Sequence, residues 1–216
     1  MTLLPFLLVS LIHLGGELAG SLRVRYLSKP LLMPLLALYY LTGAADPSIL
    51  MILAIGGGWL GDLFLMIPDP GKTRKWFRPG LAAFLLGHIF YMIVFLLASD
   101  GIAGLPASGW GLIILFLIFG TAVFIQLKPH MGKLAPAITV YILVITAMGF
   151  STVLCLGSRP LGSALTAVSG AFIFMISDTV NAWNKFARDV PNERVITMST
   201  YLLGQLLLVA GYLGFF

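Results

Sequence analysis

Charge is what this chain is poorest in. Of its 216 residues only 10% are Asp, Glu, Lys or Arg, against 59% hydrophobic, and the mean hydropathy is +1.02. A water-soluble domain carries about a quarter charged residues on its surface, so the soluble globular class is excluded and an integral membrane protein is indicated. Cysteine is nearly absent: Cys155 stands alone, which rules out an internal disulfide and a Cys-based metal cluster. Histidine is scarce as well, with His13, His88 and His130 only. A catalytic zinc usually takes three protein ligands with imidazole preferred; Asp62, His88 and Asp178 are the best set on offer, so no metal and no cofactor is expected. The glycine run Gly56 to Gly58 has no Lys-Ser after it and is no phosphate loop. Nothing suggests nucleic acid. Met1 to Gly20 lacks the basic start of a signal peptide and carries Glu17, so it is expected to be a retained helix.

What is present is a series of apolar runs of helix length, rather than the ten-residue alternating segments of an outer-membrane barrel, so the fold is expected to be all α. Eight can be marked: Leu3 to Leu22, Pro30 to Ala45, Ser48 to Ile67, Gly80 to Ala98, Gly109 to Leu127, Leu134 to Cys155, Leu161 to Trp183, and Val195 to Phe215. The second is short unless Leu27 to Lys29 joins it, with Pro30 in the first turn and Lys29 reaching to the headgroups. No polar linker divides the chain, so residues 1–216 are expected to form a single polytopic membrane domain.

Basic residues alternate between the connecting segments. Arg23, Arg25 and Lys29, then Lys72, Arg74, Lys75 and Arg78, then Lys128 and Lys133, then Lys185, Arg188 and Arg194 fall on one side, and Arg159 alone on the other. The positive-inside rule puts the rich side in the cytoplasm, hence an eight-transmembrane-helix bundle with both termini non-cytoplasmic, in the inner membrane if the source is bacterial.

The residue around which the rest is organised is Asp62, set in the apolar stretch Gly56 to Met66. A charged carboxylate there costs about 2.5 to 3.5 kcal/mol even on the lenient insertion scale, which marks it as functional by default. Gly57 and Gly61, four residues apart, bare the neighbouring helix face for close approach. Asp178 is a second such acid. Asp62 precedes Gly87 by 25 residues and Asp178 precedes Gly204 by 26, which is compatible with a parallel 4+4 pseudo-repeat matching the third and fourth helices to the seventh and eighth. Counted from the cytoplasmic ends, Glu17, Asp62, His88, Asp178, Tyr201 and Gln205 all fall about 7 to 17 Å deep. Same-face pairs include His13 with Glu17, read as a packing pair, His88 with Tyr91, and Asp178 with Asn181. Ser177 has no histidine within a turn and is better read as bonding backbone than as a nucleophile. The Phe, Met and Trp residues are expected to face lipid or its interface.

At these residues the chain resembles the YhhN or TMEM86 family, the lysoplasmalogenases. The likeness rests on Lys29-Pro30-Leu-Leu-Met-Pro34, Gly61-Asp62-Leu-Phe-Leu-Met66, Gly80-Leu-Ala-Ala-Phe84 leading to Gly87-His88-Ile-Phe-Tyr91, Ser177-Asp178 with Asn184-Lys185-Phe186, and Tyr201 with Gln205. It spans nearly the whole chain. The resemblance implies an eight-helix membrane hydrolase that cleaves the vinyl-ether bond of lysoplasmalogens to a fatty aldehyde and a glycerophospho-ethanolamine or -choline, with Asp62 and Asp178 at the family's acidic positions.

The residues suit that chemistry. Enol-ether hydrolysis resembles glycoside hydrolysis, in which one carboxylic acid gives a proton and a second carboxylate steadies the oxocarbenium ion. Asp62, Asp178 and His88 are the expected catalytic residues. Tyr91, Asn181, Tyr201 and Gln205 are expected to bind the glycerol, and Lys29 and Lys185 the phosphate, of a lysophospholipid drawn from the surrounding membrane. The competing readings are a proton-coupled transporter of a small solute and a non-catalytic lipid-binding bundle. The first needs a second polar layer toward the outer face, which the sequence lacks.

Overall fold

The computed structural model describes residues 2–68 and 75–216; Lys72 and Arg74, counted above among the basic loop residues, lie outside them. Among the described residues the chain forms eight α-helices in order: α1 (Leu3–Leu18), α2 (Leu22–Gly43), α3 (Ile49–Met66), α4 (Phe77–Ala98), α5 (Ala107–Leu127), α6 (Ala135–Leu154), α7 (Leu161–Phe186) and α8 (Glu193–Leu213). Six of them, α3 to α8, are long and apolar enough to cross a membrane. The protein is thus a multi-pass helical membrane protein. The helices group into two compact units, Met1–Tyr91 and Met92–Phe216, the division falling within α4.

The largest departure from the sequence expectation is the start of α2. Sequence alone puts Pro30 in its first turn; the helix in fact begins at Leu22, and Pro30 and Pro34 lie inside it. The cause is the turn before it. Gly20 takes a left-handed φ of 64°, its N–H bonds the Glu17 carbonyl, and the Ser21 N–H bonds the Gly16 carbonyl at 2.8 Å, a Schellman closure of α1. Ser21 then caps the next helix, its hydroxyl accepting from the Val24 N–H. A three-residue connection therefore joins two helices, and Arg23, Arg25 and Lys29, expected in a loop, sit in the first turns of α2.

In the first unit the core is built from Phe6, Leu32, Leu36, Tyr40, Met51 and Ile55, all fully buried. In the second, Phe95, Phe116, Leu127, Met148, Phe174 and Leu208 play that part. Many Phe and Met side chains are thus interior, contrary to the lipid-facing role expected of them. The outward apolar surface is instead mainly Leu and Ile, as at Leu8, Leu11 and Ile12 on α1 and Leu117, Ile118 and Ile125 on α5. Flexible thioethers and rings fill gaps between helices, whereas branched aliphatics suffice against lipid tails. Arg159, the lone basic residue of its side, donates from Nε to the carbonyl of Ala98 at 2.7 Å, so it closes the end of α4.

Candidate functional site

Two polar groups stand in the helical interior, one in each unit. The first follows from the early start of α2, which sets Arg25 and Lys29 four residues apart on one face. Arg25 reaches back to α1: its Nε donates to Glu17 Oε1 at 2.6 Å and a terminal nitrogen to the other carboxylate oxygen. Glu17 also lies 3.6 Å from His13 Nε2, the packing pair expected from their spacing. His13 is wholly buried, with Nδ1 2.8 Å from Ser28 Oγ; the Ser28 proton goes to the Val24 carbonyl, so the imidazole N–H is the donor.

Lys29 turns the other way. Its Nζ lies 3.1 Å from Asp62 Oδ1 on α3, in an ion pair whose side chains are only 14% and 4% exposed. The neutralising cation that sequence could not find within a turn of Asp62 comes from a neighbouring helix. The two prolines of α2 help to place it. Pro34 has no N–H for the carbonyl four residues back, which belongs to Pro30; the indole Nε1 of Trp59 takes that place at 2.9 Å. Trp59 and Asp62 are three apart on α3, and Pro30 and Lys29 are adjacent on α2, so the indole bond and the ion pair hold one stretch of the two helices in register.

Asp62 also lies a turn beyond the crossing of α3 and α4. A Cβ at Gly57 would fall 2.6 Å from Gly87 Cα, and one at Gly61 would strike the Phe84 ring, so these glycines admit the close approach that their spacing implied. Gly87 is itself hemmed in, 3.0 Å from the Ala54 carbonyl and 3.3 Å from the Gly58 amide by the same measure. His88 adjoins Gly87 and Tyr91 follows by a turn, both buried.

In the second unit, a Cβ at Gly204 of α8 would meet the Phe174 amide at 2.9 Å and the Gly170 carbonyl at 3.1 Å. Asp178 stands four residues past Phe174, as Asp62 stands four past Gly58. The half-buried Asp178 accepts a 2.6 Å hydrogen bond at Oδ2 from the hydroxyl of Tyr141 on α6. On α8 the Gln205 amide donates to the Tyr201 hydroxyl at 3.4 Å. Of the expected residues, Tyr201 and Gln205 are thereby bonded to each other on α8, while Asp178 is held by a tyrosine that sequence does not single out. Its signal was available: Tyr141 is seven residues into the segment that starts at Leu134, the same depth as the others. Asn181 is half-buried on α7, and Lys185 is exposed in its last turn. Ser177 donates to the Thr197 carbonyl of α8 at 2.9 Å, the backbone bond expected of it. Among the described residues, no three His, Cys, Asp or Glu side chains gather as a group able to hold a metal ion.

Against known proteins, the model of the YhhN family matches residues 24–212. Lysoplasmalogenase TMEM86B of Sus scrofa is 30% identical over 150 residues, covering 69% of this chain and 57% of its own length. Lysoplasmalogenase TMEM86A of Homo sapiens is 32% identical over 155 residues, covering 68% and 58%, and that of Bos taurus 30% identical over 155 residues, covering 69% and 59%. The chain therefore spans a little under three fifths of the length of these curated relatives. No solved structure matches it. Because the family match takes in α3 to α7 whole, with both acids and the partners that hold them, the chain belongs to the YhhN family.

Proposed function

We propose that this chain hydrolyses the vinyl-ether bond of lysoplasmalogens, releasing a fatty aldehyde and glycerophosphoethanolamine or glycerophosphocholine. The observation that carries this reading is its membership of the YhhN family together with relatives named lysoplasmalogenase at 30 to 32% identity. The chemistry of the residues supports it. Carbon protonation of an enol ether needs a proton donor, a role a carboxylic acid can fill, and a carboxylate can stabilise the resulting oxocarbenium ion; Asp62 and Asp178 are membrane-helix acids, each held by a side chain from another helix. In this scheme His88 orients a carboxylate or the water. Tyr91, Asn181, Tyr201 and Gln205 bond the glycerol, and Lys185, exposed at the end of α7, meets the phosphate. Lys29 serves by holding Asp62 rather than by reaching the headgroup.

The proposal includes α1 and α2 as spans. At 22 residues α2 is about 33 Å long and suffices; α1, with 16, is about 24 Å long and needs local thinning or its flanking residues to complete the crossing. Both termini then face away from the cytoplasm. With Cys155 replaced, a cysteine placed beside Arg188 should react with an impermeant reagent only after the cells are opened; labelling on intact cells would overturn this topology.

The activity is tested by incubating purified full-length protein with a lysoplasmalogen and, in parallel, with its acyl counterpart, and analysing the lipids by mass. Fatty aldehyde from the first and no fatty acid from the second is expected. Absence of aldehyde above a protein-free control would sink the proposal.

A further inference from the structure

Resting on the vinyl-ether reading above, we infer that Asp178 is the group that delivers the proton, that Tyr141 is its positioning residue, and that Asp62 stays a carboxylate throughout. The inference follows from what each partner can donate and accept. The Lys29 ammonium has donors and no acceptor. At 3.1 Å from Asp62 Oδ1 its positive charge favours the ionised carboxylate over the neutral acid. A phenol hydroxyl is both donor and acceptor. Tyr141, 2.6 Å from Asp178 Oδ2, donates to the carboxylate and, by turning its hydrogen away, accepts from the carboxylic acid, so the contact survives gain and loss of the proton. One acid is thus biased toward its charged form by a fixed ammonium, and the other keeps its hydrogen bond in both forms, which suits the second to cycling a proton.

The proton on the Asp178 carboxyl passes to the vinyl carbon β to the ether oxygen, the alkene electron pair forming the new C–H bond and an oxygen lone pair forming the oxocarbenium ion. Tyr141 then donates to the carboxylate left behind. Water adds to the cationic carbon and its released proton returns to Asp178. The hemiacetal breaks its bond to the glycerol oxygen, which takes the hydroxyl proton, and the aldehyde leaves.

The test begins without substrate. Infrared spectra of full-length protein in lipid bilayers at neutral pH, compared in H2O and D2O, should show the carbonyl stretch of a protonated carboxyl in the wild type and in Asp62→Asn. That band should vanish in Asp178→Asn and shift in Tyr141→Phe. A band lost in Asp62→Asn and kept in Asp178→Asn would overturn the assignment, as would its absence from the wild type. With lysoplasmalogen, Tyr141→Phe should lower kcat about tenfold, the worth of one hydrogen bond, with KM little changed and a larger solvent isotope effect. A Tyr141 that merely packs α6 on α7 would leave the isotope effect at its wild-type value. Because the spectra need no turnover, a protein with the expected bands and no aldehyde would refute the substrate and leave the proton assignment standing.

Discussion

In the α3–α4 pair, Gly87 abuts the carbonyl of Ala54 and the amide of Gly58, and Asp62 follows one turn later; in the α7–α8 pair, Gly204 abuts the carbonyl of Gly170 and the amide of Phe174, and Asp178 follows one turn later. Eight and four residues before each acid, the same backbone groups meet the same kind of residue. The partner that holds the acid also comes from a matching place, α2 for Asp62 and α6 for Asp178, the second helix in each run of four. The two helix pairs thus share a crossing and the placing of the acid after it. The difference lies in the partner, an ammonium in one and a phenol in the other. A duplicated helix pair can keep its crossing because packing tolerates little change, while the residue facing the acid is free to diverge and so to divide the chemistry.

Removing the charges should have the largest effect. Asp62→Asn and Asp178→Asn should each lower kcat/KM by about 100-fold or more, the usual size of general acid and charge-stabilising contributions. Stability should separate them. Asp178→Asn keeps an oxygen to accept from Tyr141 and should fold as the wild type does. Asp62→Asn leaves the Lys29 ammonium without its counter-charge, which costs about 3 kcal/mol for a pair this buried, and Lys29→Met added to it should recover much of the loss. Thermal unfolding in detergent checks this; equal Tm values for the two single variants would show that the ion pair and the tyrosine bond are equivalent.

A smaller effect tests what the two pairs share. Gly87→Ala and Gly204→Ala each push a methyl against backbone 3.0 Å and 2.9 Å away, at a cost of about 1 to 3 kcal/mol for overpacking. Their Tm losses should agree closely. A large loss for one and none for the other would mean that the crossings only look alike.

Sequence made the eight helices and their order legible because hydrocarbon demands long apolar segments and leaves little ambiguity. Asp62 and Asp178 were legible for the same reason, as charges where charge is costly. What could not be read was who holds them. By sequence Lys29 reads as an interfacial anchor because Pro30 reads as a helix start, and only the closure of α1 at Gly20 places Lys29 inside α2. The Trp59 bond to Pro30 depends on one proline depriving the other's carbonyl of its partner, a tertiary consequence of a local pattern. Tyr141 does not stand out, because a tyrosine in a membrane helix reads as interfacial unless its depth is counted.

The claim that matters most is that this chain cleaves an enol ether by placing a proton on carbon. Lysoplasmalogen hydrolysed in D2O, with the aldehyde trapped at once by reduction before enolisation exchanges more hydrogen, reads that step directly. The alcohol should carry one deuterium, from the solvent, on the carbon next to the former aldehyde. Aldehyde formed by the protein in D2O with no deuterium at that carbon would contradict the claim.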